Sequence, residues 1–151
     1  MIMSDCCNVQ TEKDKNRTCS YCHEKGKIVD LITVKSLLKP DAMKRLNPID
    51  DFAFCRTYDC SVVYFNSHQN FMKSDITVRV FQKEDKKDVP VCYCFGYTPE
   101  IIQQLLKTVD QNTPSETIQQ YVKEKKCACE TRNPQGSCCL GNVKSIEKET
   151  V

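Results

Sequence analysis

The sequence has little of several residue types that commonly build active sites. It has no tryptophan, two histidines and four glycines among 151 residues. It contains no nucleophile with a base nearby in a motif, no glycine-rich phosphate loop and no dinucleotide fingerprint. We therefore do not expect an enzyme with its own substrate pocket.

Long apolar runs and a charge of one sign are also lacking. The longest apolar stretch is far shorter than the roughly 18 to 20 residues that span a bilayer, and residues 1–17 lack the apolar centre of a secretion signal. Lysine and arginine number 22 against 20 acidic residues, which leaves a net charge of +2. We therefore expect a cytoplasmic protein that has neither nucleic acid nor a membrane among its partners.

Cysteine is the residue that the chain has in abundance, with 12 copies. They occur as six close pairs: Cys6 with Cys7, Cys19 with Cys22, Cys55 with Cys60, Cys92 with Cys94, Cys127 with Cys129, and Cys138 with Cys139. Cytosolic thiols are kept reduced, so close pairs indicate metal sites rather than disulfides. A metal would also stabilise small folding units, whose cores are thin.

The pattern between the cysteines predicts an α+β chain with a tail and two small units. Residues 1–17 are polar and aperiodic, which is typical of a flexible tail. Residues 18–88 predict a β-rich, zinc-ribbon-like unit, and residues 89–151 predict a helical unit. Within the first unit we expect these elements: strands at 28–34, 62–65 and 76–82, and a short helix at 40–46.

Helix start signals organise the second unit. Thr98 and Thr113 each precede a proline and an acidic residue, which predicts N-caps for helices that end near residues 108 and 126. A third short helix is predicted to begin near Cys138.

The first four paired cysteines predict a zinc site. Cys19-x-x-Cys22 and Cys55-x4-Cys60 form two chelating turns that can place four sulfurs around one Zn(II) ion. We expect this zinc to be structural, because its binding would join strands too short to fold alone. Buried free cysteines are the plain alternative. Cys22-His23 also completes a c-type haem signature, which we reject because no export signal is present and Cys55 and Cys60 would stay unexplained.

The later cysteines predict a [2Fe-2S] site. Cys92-Tyr-Cys94 can present two thiolates on one face of an extended segment, and the return loop containing Gly136 leaves backbone amides near the cluster. Six cysteines compete for four places, so we favour Cys92, Cys94, Cys127 and Cys139. The surplus Cys129 and Cys138 are alternative ligands, buried thiols, or acceptors of a soft ion such as Cu(I).

Two family resemblances support this interpretation. The second half resembles the fold of bacterioferritin-associated ferredoxin. The features that carry this resemblance are Cys92-x-Cys94-Phe-Gly, about 32 residues holding two predicted helices, and a second cysteine cluster. The chain from Cys19 to about Val143 is similar to the N-terminal region of CopZ-type copper chaperones. The phrases that carry this similarity are LITVKSLLKP at 31–40, VVYF at 62–65, VPVCYCFG at 89–96 and NPQGSCCLGNV at 133–143.

The CopZ resemblance implies a role in copper handling. It implies that the cluster accepts an electron from a donor, reduces Cu(II), and passes Cu(I) toward a copper-transporting ATPase. Two-domain members carry a further metal-binding domain with its own C-x-x-C motif, and the sequence here ends at Val151 before such a domain. The expected partner is therefore either a copper-transporting ATPase or a separate metal carrier that supplies the further domain's role. The tail pair Cys6 and Cys7 could capture a soft ion, or it could be incidental.

Two other functions remain open at this stage. The chain could be a small electron-transfer ferredoxin without a copper role, with the zinc unit as a docking platform. It could also be a carrier that gives its [2Fe-2S] cluster to another protein.

Overall fold

The computed structural model describes residues 18–108 and 112–150. The predicted tail and its pair Cys6 and Cys7 lie outside the described residues. The described chain combines an antiparallel sheet with helices, so the predicted α+β class is confirmed. Within it, no helix has both the length and the apolar character needed to cross a membrane.

Four short strands form the sheet, and neighbours along the chain are neighbours in the sheet. The strands are β1 (Lys27–Val29), β2 (Phe52–Phe54), β3 (Val62–Phe65) and β4 (Asn70–Met72). Each pairing is antiparallel, with Ile28 opposite Ala53 and Phe54 opposite Tyr64. Aromatic and β-branched residues fill β2 and β3, as expected for strands buried on both faces.

Of the helices in the described chain, two lie between β1 and β2, and four more follow the sheet in the second half. They are α1 (Leu31–Leu37), α2 (Pro40–Arg45), α3 (Pro99–Leu106), α4 (Pro114–Lys123), α5 (Cys129–Arg132) and α6 (Leu140–Thr150). Two 3-10 turns, Lys73–Asp75 and Phe81–Lys83, lie between β4 and α3.

Both predicted N-caps are present. Thr98 Oγ1 accepts a hydrogen bond from the Ile101 N–H at 3.2 Å. Thr113 Oγ1 accepts from the Glu116 N–H at 3.3 Å, and the Glu116 carboxylate accepts from the Thr113 N–H at 3.3 Å. This reciprocal pair is a capping box, which satisfies two donors that a helix start leaves free.

Two of the predicted strands are wrong. The strand predicted at 28–34 ends at Val29, because α1 begins at Leu31 and buries Val34 and Leu37 from a single helical face. The strand predicted at 76–82 is replaced by one bridge between Ile76 and Leu38 and by the turn Phe81–Lys83. Its place beside β3 is taken by β4, which the sequence pattern did not indicate.

The two halves of the chain meet at a buried junction. Tyr64 Oη on β3 donates a hydrogen bond to the Pro134 carbonyl oxygen at 2.5 Å. Gly136 has φ +70°, and a Cβ there would lie 3.1 Å from Val29 Cγ1 and 3.2 Å from Thr33 Oγ1. The loop that precedes Cys138 therefore rests directly on β1 and α1. The division into units at residues 88 and 89 stays a prediction.

Gly26 gives a test of packing beside the sheet. A Cβ at this position would lie 2.7 Å from the Phe54 carbonyl oxygen and 2.7 Å from Phe65 Cε1. We expect Gly26→Ala to lower the free energy of unfolding by about 1 to 3 kcal/mol, the usual cost of overpacking. Urea unfolding of the zinc-loaded chain measures this.

Gly141→Ala is the matched control for that experiment. Gly141 lies in the first turn of α6, and a Cβ there would meet no atom within 4 Å. Alanine should stabilise the helix by about 0.5 to 1 kcal/mol relative to glycine. Equal effects of the two substitutions would contradict the packing argument.

Candidate metal centres

The first chelating turn is a tight knuckle after the start of the described chain. The Cys19 N–H donates to the Glu24 carbonyl oxygen at 2.9 Å, and the His23 N–H donates to the Cys19 carbonyl oxygen at 2.8 Å. His23 supplies the reversal with φ 62°, in the left-handed region. Gly26 lies just beyond this reversal and is required by its close approach to Phe54 and Phe65.

The second chelating turn connects β2 to β3. Cys55 directly follows β2, and its N–H donates to the Val63 carbonyl oxygen at 2.8 Å. The Cys60 N–H donates to the Thr57 carbonyl oxygen at 3.2 Å, which closes the loop between the two cysteines. The sheet therefore brings this loop against the first knuckle.

The four sulfurs of these turns converge on one point. The Sγ atoms of Cys19, Cys22, Cys55 and Cys60 all lie within 4.8 Å of one another. Cys19 Sγ is 3.8 Å from Cys60 Sγ, and Cys22 Sγ is 3.7 Å from Cys55 Sγ. Sulfurs at about 2.3 Å from a tetrahedral Zn(II) ion are about 3.8 Å apart, so the donor set fits zinc.

Burial and hydrogen bonding shift the pKa values of these thiols in opposite directions. Burial raises the pKa of the Cys60 thiol to about 12 and also raises the pKa of Cys19. Burial acts in the same direction at Cys22, but hydrogen bonds with Thr57, Glu24 and the neighbouring thiols lower its pKa to about 7. Zinc binds thiolates, so loading this site must release protons.

The C-x-C segment forms a tight loop rather than an extended strand. The Cys92 N–H donates to the Tyr97 carbonyl oxygen at 3.2 Å, and the Gly96 N–H donates to the Cys92 carbonyl oxygen at 2.9 Å. Gly96 has φ 74°, which favours glycine at this reversal. The loop directs Cys92 into the core of the helical half and leaves Cys94 half-buried.

A second group of four sulfurs gathers between this loop and the segment that follows α4. Cys94 Sγ lies 3.8 Å from Cys129 Sγ, and the Ala128 N–H donates to Cys94 Sγ at 3.1 Å. Cys139 is 1% exposed, precedes α6 and packs in the same buried cluster as Cys92, and its thiol influences the pKa values of Cys92 and Cys129. The four members are Cys92, Cys94, Cys129 and Cys139.

Hydrogen bonds from the Cys139 thiol organise this group electrostatically. They raise the pKa of Cys139 itself, with burial acting in the same direction. They lower the pKa of Cys92 and bring the pKa of Cys129 down to about 6. Burial raises the pKa of Cys94 to about 11. Within this group the thiolate form is therefore most favoured at Cys129.

The two remaining cysteines lie at the edge of this group. Cys138 is exposed, and its thiol contributes to the lowered pKa of Cys129. Cys127 is partly buried, and no hydrogen bond of its thiol appears among the described residues. The structure thus brings Cys129 into the sulfur group where the sequence analysis had favoured Cys127.

Hydrogen bonds within the loop from residue 133 to residue 137 stabilise its conformation. Asn133 is 2% exposed and its Nδ2 donates to the Ser137 carbonyl oxygen at 3.1 Å. The Gly136 N–H donates to the Asn133 carbonyl oxygen at 2.8 Å. The Gly136 amide is therefore occupied, and the amide that reaches a sulfur is that of Ala128.

Comparisons with known proteins agree with this geometry. Residues 16–77 match the zf_CopZ family, described as a zinc binding domain. The chain is 31% identical over 128 residues to the copper chaperone CopZ of Archaeoglobus fulgidus, which covers 85% of this chain and 60% of that protein. The X-ray structure of the N-terminal domain of that CopZ superposes with a TM-score of 0.70 and 28% identity, covering 85% of this chain and 96% of the domain.

These similarities confirm the predicted resemblance to the N-terminal region of CopZ-type proteins. The chain spans 60% of the length of the curated relative, so the similarity extends over that part only. The matching zinc-binding family and the four convergent sulfurs together support zinc at Cys19, Cys22, Cys55 and Cys60. The resemblance of the second half to bacterioferritin-associated ferredoxin stays a prediction.

Proposed function

We propose that this chain handles copper as a redox-active accessory protein, using a [2Fe-2S] cluster held by Cys92, Cys94, Cys129 and Cys139. The observation that carries the proposal is the second sulfur group, present in a chain similar to the N-terminal domain of a copper chaperone. Four cysteine thiolates are the usual donor set of such a cluster, which transfers one electron at a time when bound.

The residues around the second sulfur group suit this task. Cys94 and Cys129, whose sulfurs lie 3.8 Å apart, would hold the cluster together with the buried Cys92 and Cys139. The Ala128 N–H bonded to Cys94 Sγ would stabilise negative charge on that sulfur, and such hydrogen bonds help to set the potential. We thus propose Cys129 as the ligand in place of Cys127.

Exposure suggests where copper approaches. Cys92 and Cys139 are each 1% exposed, whereas Cys94 and Cys129 are half-buried and Cys138 is exposed. An electron donor supplies one electron, and that electron converts Cu(II) to Cu(I) at this outer side. Soft thiols such as those of Cys127 and Cys138 would then favour the Cu(I) product. A separate carrier or a copper-transporting ATPase receives it.

Zinc has a structural part in this proposal. Zn(II) does not change its oxidation state, and four protein thiolates leave no open position for a substrate. The zinc site instead joins the two chelating turns to the sheet on which the 133–137 loop rests.

Composition and reactivity can be tested in one series. Anaerobic purification should give about one zinc, two irons and two sulfides per chain, with an S = 1/2 EPR signal after reduction by dithionite. Addition of Cu(II) to the reduced protein, with a chromogenic Cu(I) chelator present, should yield about one Cu(I) per cluster as the EPR signal disappears.

Two controls separate the cluster from the thiols, which also reduce Cu(II). Cys129→Ser keeps the zinc site and all the other thiols. This variant should produce Cu(I) only at the slow rate of reduction by thiols. The air-oxidised cluster should give the same background. If both controls produce Cu(I) as fast as the reduced protein, the copper proposal fails and a ferredoxin or cluster carrier becomes the better explanation.

A further inference from the structure

Lys83 is the one buried charged side chain among the described residues, at 3% exposed. It ends the 3-10 turn Phe81–Lys83. A lysine is rarely buried this completely unless its ammonium group has partners. The partners of Lys83 therefore indicate its role.

The ammonium group of Lys83 points into the second chelating turn of the zinc site. Its Nζ donates to the Thr57 carbonyl oxygen at 2.8 Å and to the Cys60 carbonyl oxygen at 2.9 Å. The third contact is with Cys55 Sγ at 3.7 Å. An ammonium group has three protons, so all three of its donors find an acceptor here.

No carboxylate of the described chain forms an ion pair with Lys83. A buried charge without a counter-charge is costly, and the anionic atoms nearest to this one are zinc-binding sulfurs. Four thiolates outweigh the two charges of Zn(II), so the loaded centre is anionic overall. A lysine at this place offsets that charge only when the thiolates are formed.

We propose that Lys83 is a positioning residue of the zinc site, which it supports in two ways. Its two carbonyl contacts hold the loop between Cys55 and Cys60 in the shape that chelates. Its charge and its N–H···S contact with Cys55 lie against an anionic metal centre and so favour the metal-loaded state. This inference depends on the zinc site and is independent of the proposed copper chemistry.

Lys83→Met in the full chain tests this role, because methionine keeps much of the apolar stem and removes the charge and donors. Competition with a chromophoric chelator should show zinc affinity lowered about 10- to 100-fold, as for other partners outside the ligand shell. In the cobalt-substituted protein, the sulfur-to-cobalt charge-transfer band should move to lower energy, because Cys55 becomes a stronger electron donor.

Lys86→Met is the matched control. Lys86 lies three residues further along the chain and is exposed. Its replacement by methionine makes the same change in net charge, but away from the zinc site. Lys83→Gln, which is shorter and neutral but keeps a donor, is studied in parallel in case the methionine variant does not fold; the proposal expects it to lose affinity as well. Zinc affinity and cobalt band equal to those of Lys86→Met would overturn the proposal. Lower affinity with an unmoved band would also overturn it as stated, since Lys83 would then act only as a clamp on two carbonyls.

Discussion

Replacing Cys129 with serine is expected to prevent cluster assembly, whereas the same replacement at Cys127 is expected to leave the cluster in place. Cys129 Sγ lies 3.8 Å from Cys94 Sγ and is in reach of Cys139, while Cys127 has no such contact among the described residues. Loss of a ligand should exceed the roughly 10- to 100-fold effect of a change outside the ligand shell. Iron and sulfide content after anaerobic reconstitution provides the measurement.

The paired design makes this result easy to interpret. Both substitutions remove one partly buried thiol from the same short segment, so the comparison isolates the position of the sulfur that is lost. Zinc content should be unchanged in both variants, which shows that each protein is folded. Cluster loss in Cys127→Ser with retention in Cys129→Ser would restore the assignment made from the sequence.

Removing zinc should unfold the sheet of the first half. Structural zinc sites bind with apparent free energies of about 10 to 16 kcal/mol, whereas a whole domain is stable by about 5 to 15 kcal/mol. Here the sulfurs themselves form a core, since Cys19, Cys55 and Cys60 pack with Ala53, Val62 and Phe65. Without the ion that core consists largely of thiols, which cannot replace the lost binding energy.

Cys19→Ser and chelation of zinc are two ways to obtain this result. Circular dichroism and amide hydrogen exchange should report loss of β2 and β3 in both cases. Cys138→Ser, which removes an exposed thiol that is not among the four convergent sulfurs, should leave the sheet intact. A sheet that survives in zinc-free protein would mean that the apolar core below α1 and α2 is sufficient to fold this half.

Local signals in the sequence predicted the elements that local interactions determine. Thr98 and Thr113 were identifiable as N-caps because the cap, the proline and the acidic residue stand within four positions. The strand at 62–65 was likewise predicted from its continuous apolar run. The first four metal-site cysteines are close in space because each chelating turn is itself local and the sheet joins the two turns.

Non-local contacts decided the elements that the sequence analysis missed. Ile32, Thr33 and Val34 favour a strand by propensity, but the apolar face of α1 packs on the sheet and the tertiary contacts prevail. The proposal of Cys129 in place of Cys127 rests on where α5 begins, since the helix start sets which sulfur lies near Cys94. Lys83 was missed because its charge suggested solvent, and only the folded chain shows its acceptors.

The contact between Tyr64 and Pro134 suggests an order of assembly during synthesis. The first half leaves the ribosome first and can take up zinc while the rest of the chain is still being made. The loop before Cys138 needs the finished sheet, because Pro134 bonds to β3 and Gly136 rests on Val29. We therefore expect zinc loading to precede the gathering of the second sulfur group, so that cells short of zinc would also accumulate chains unable to receive iron.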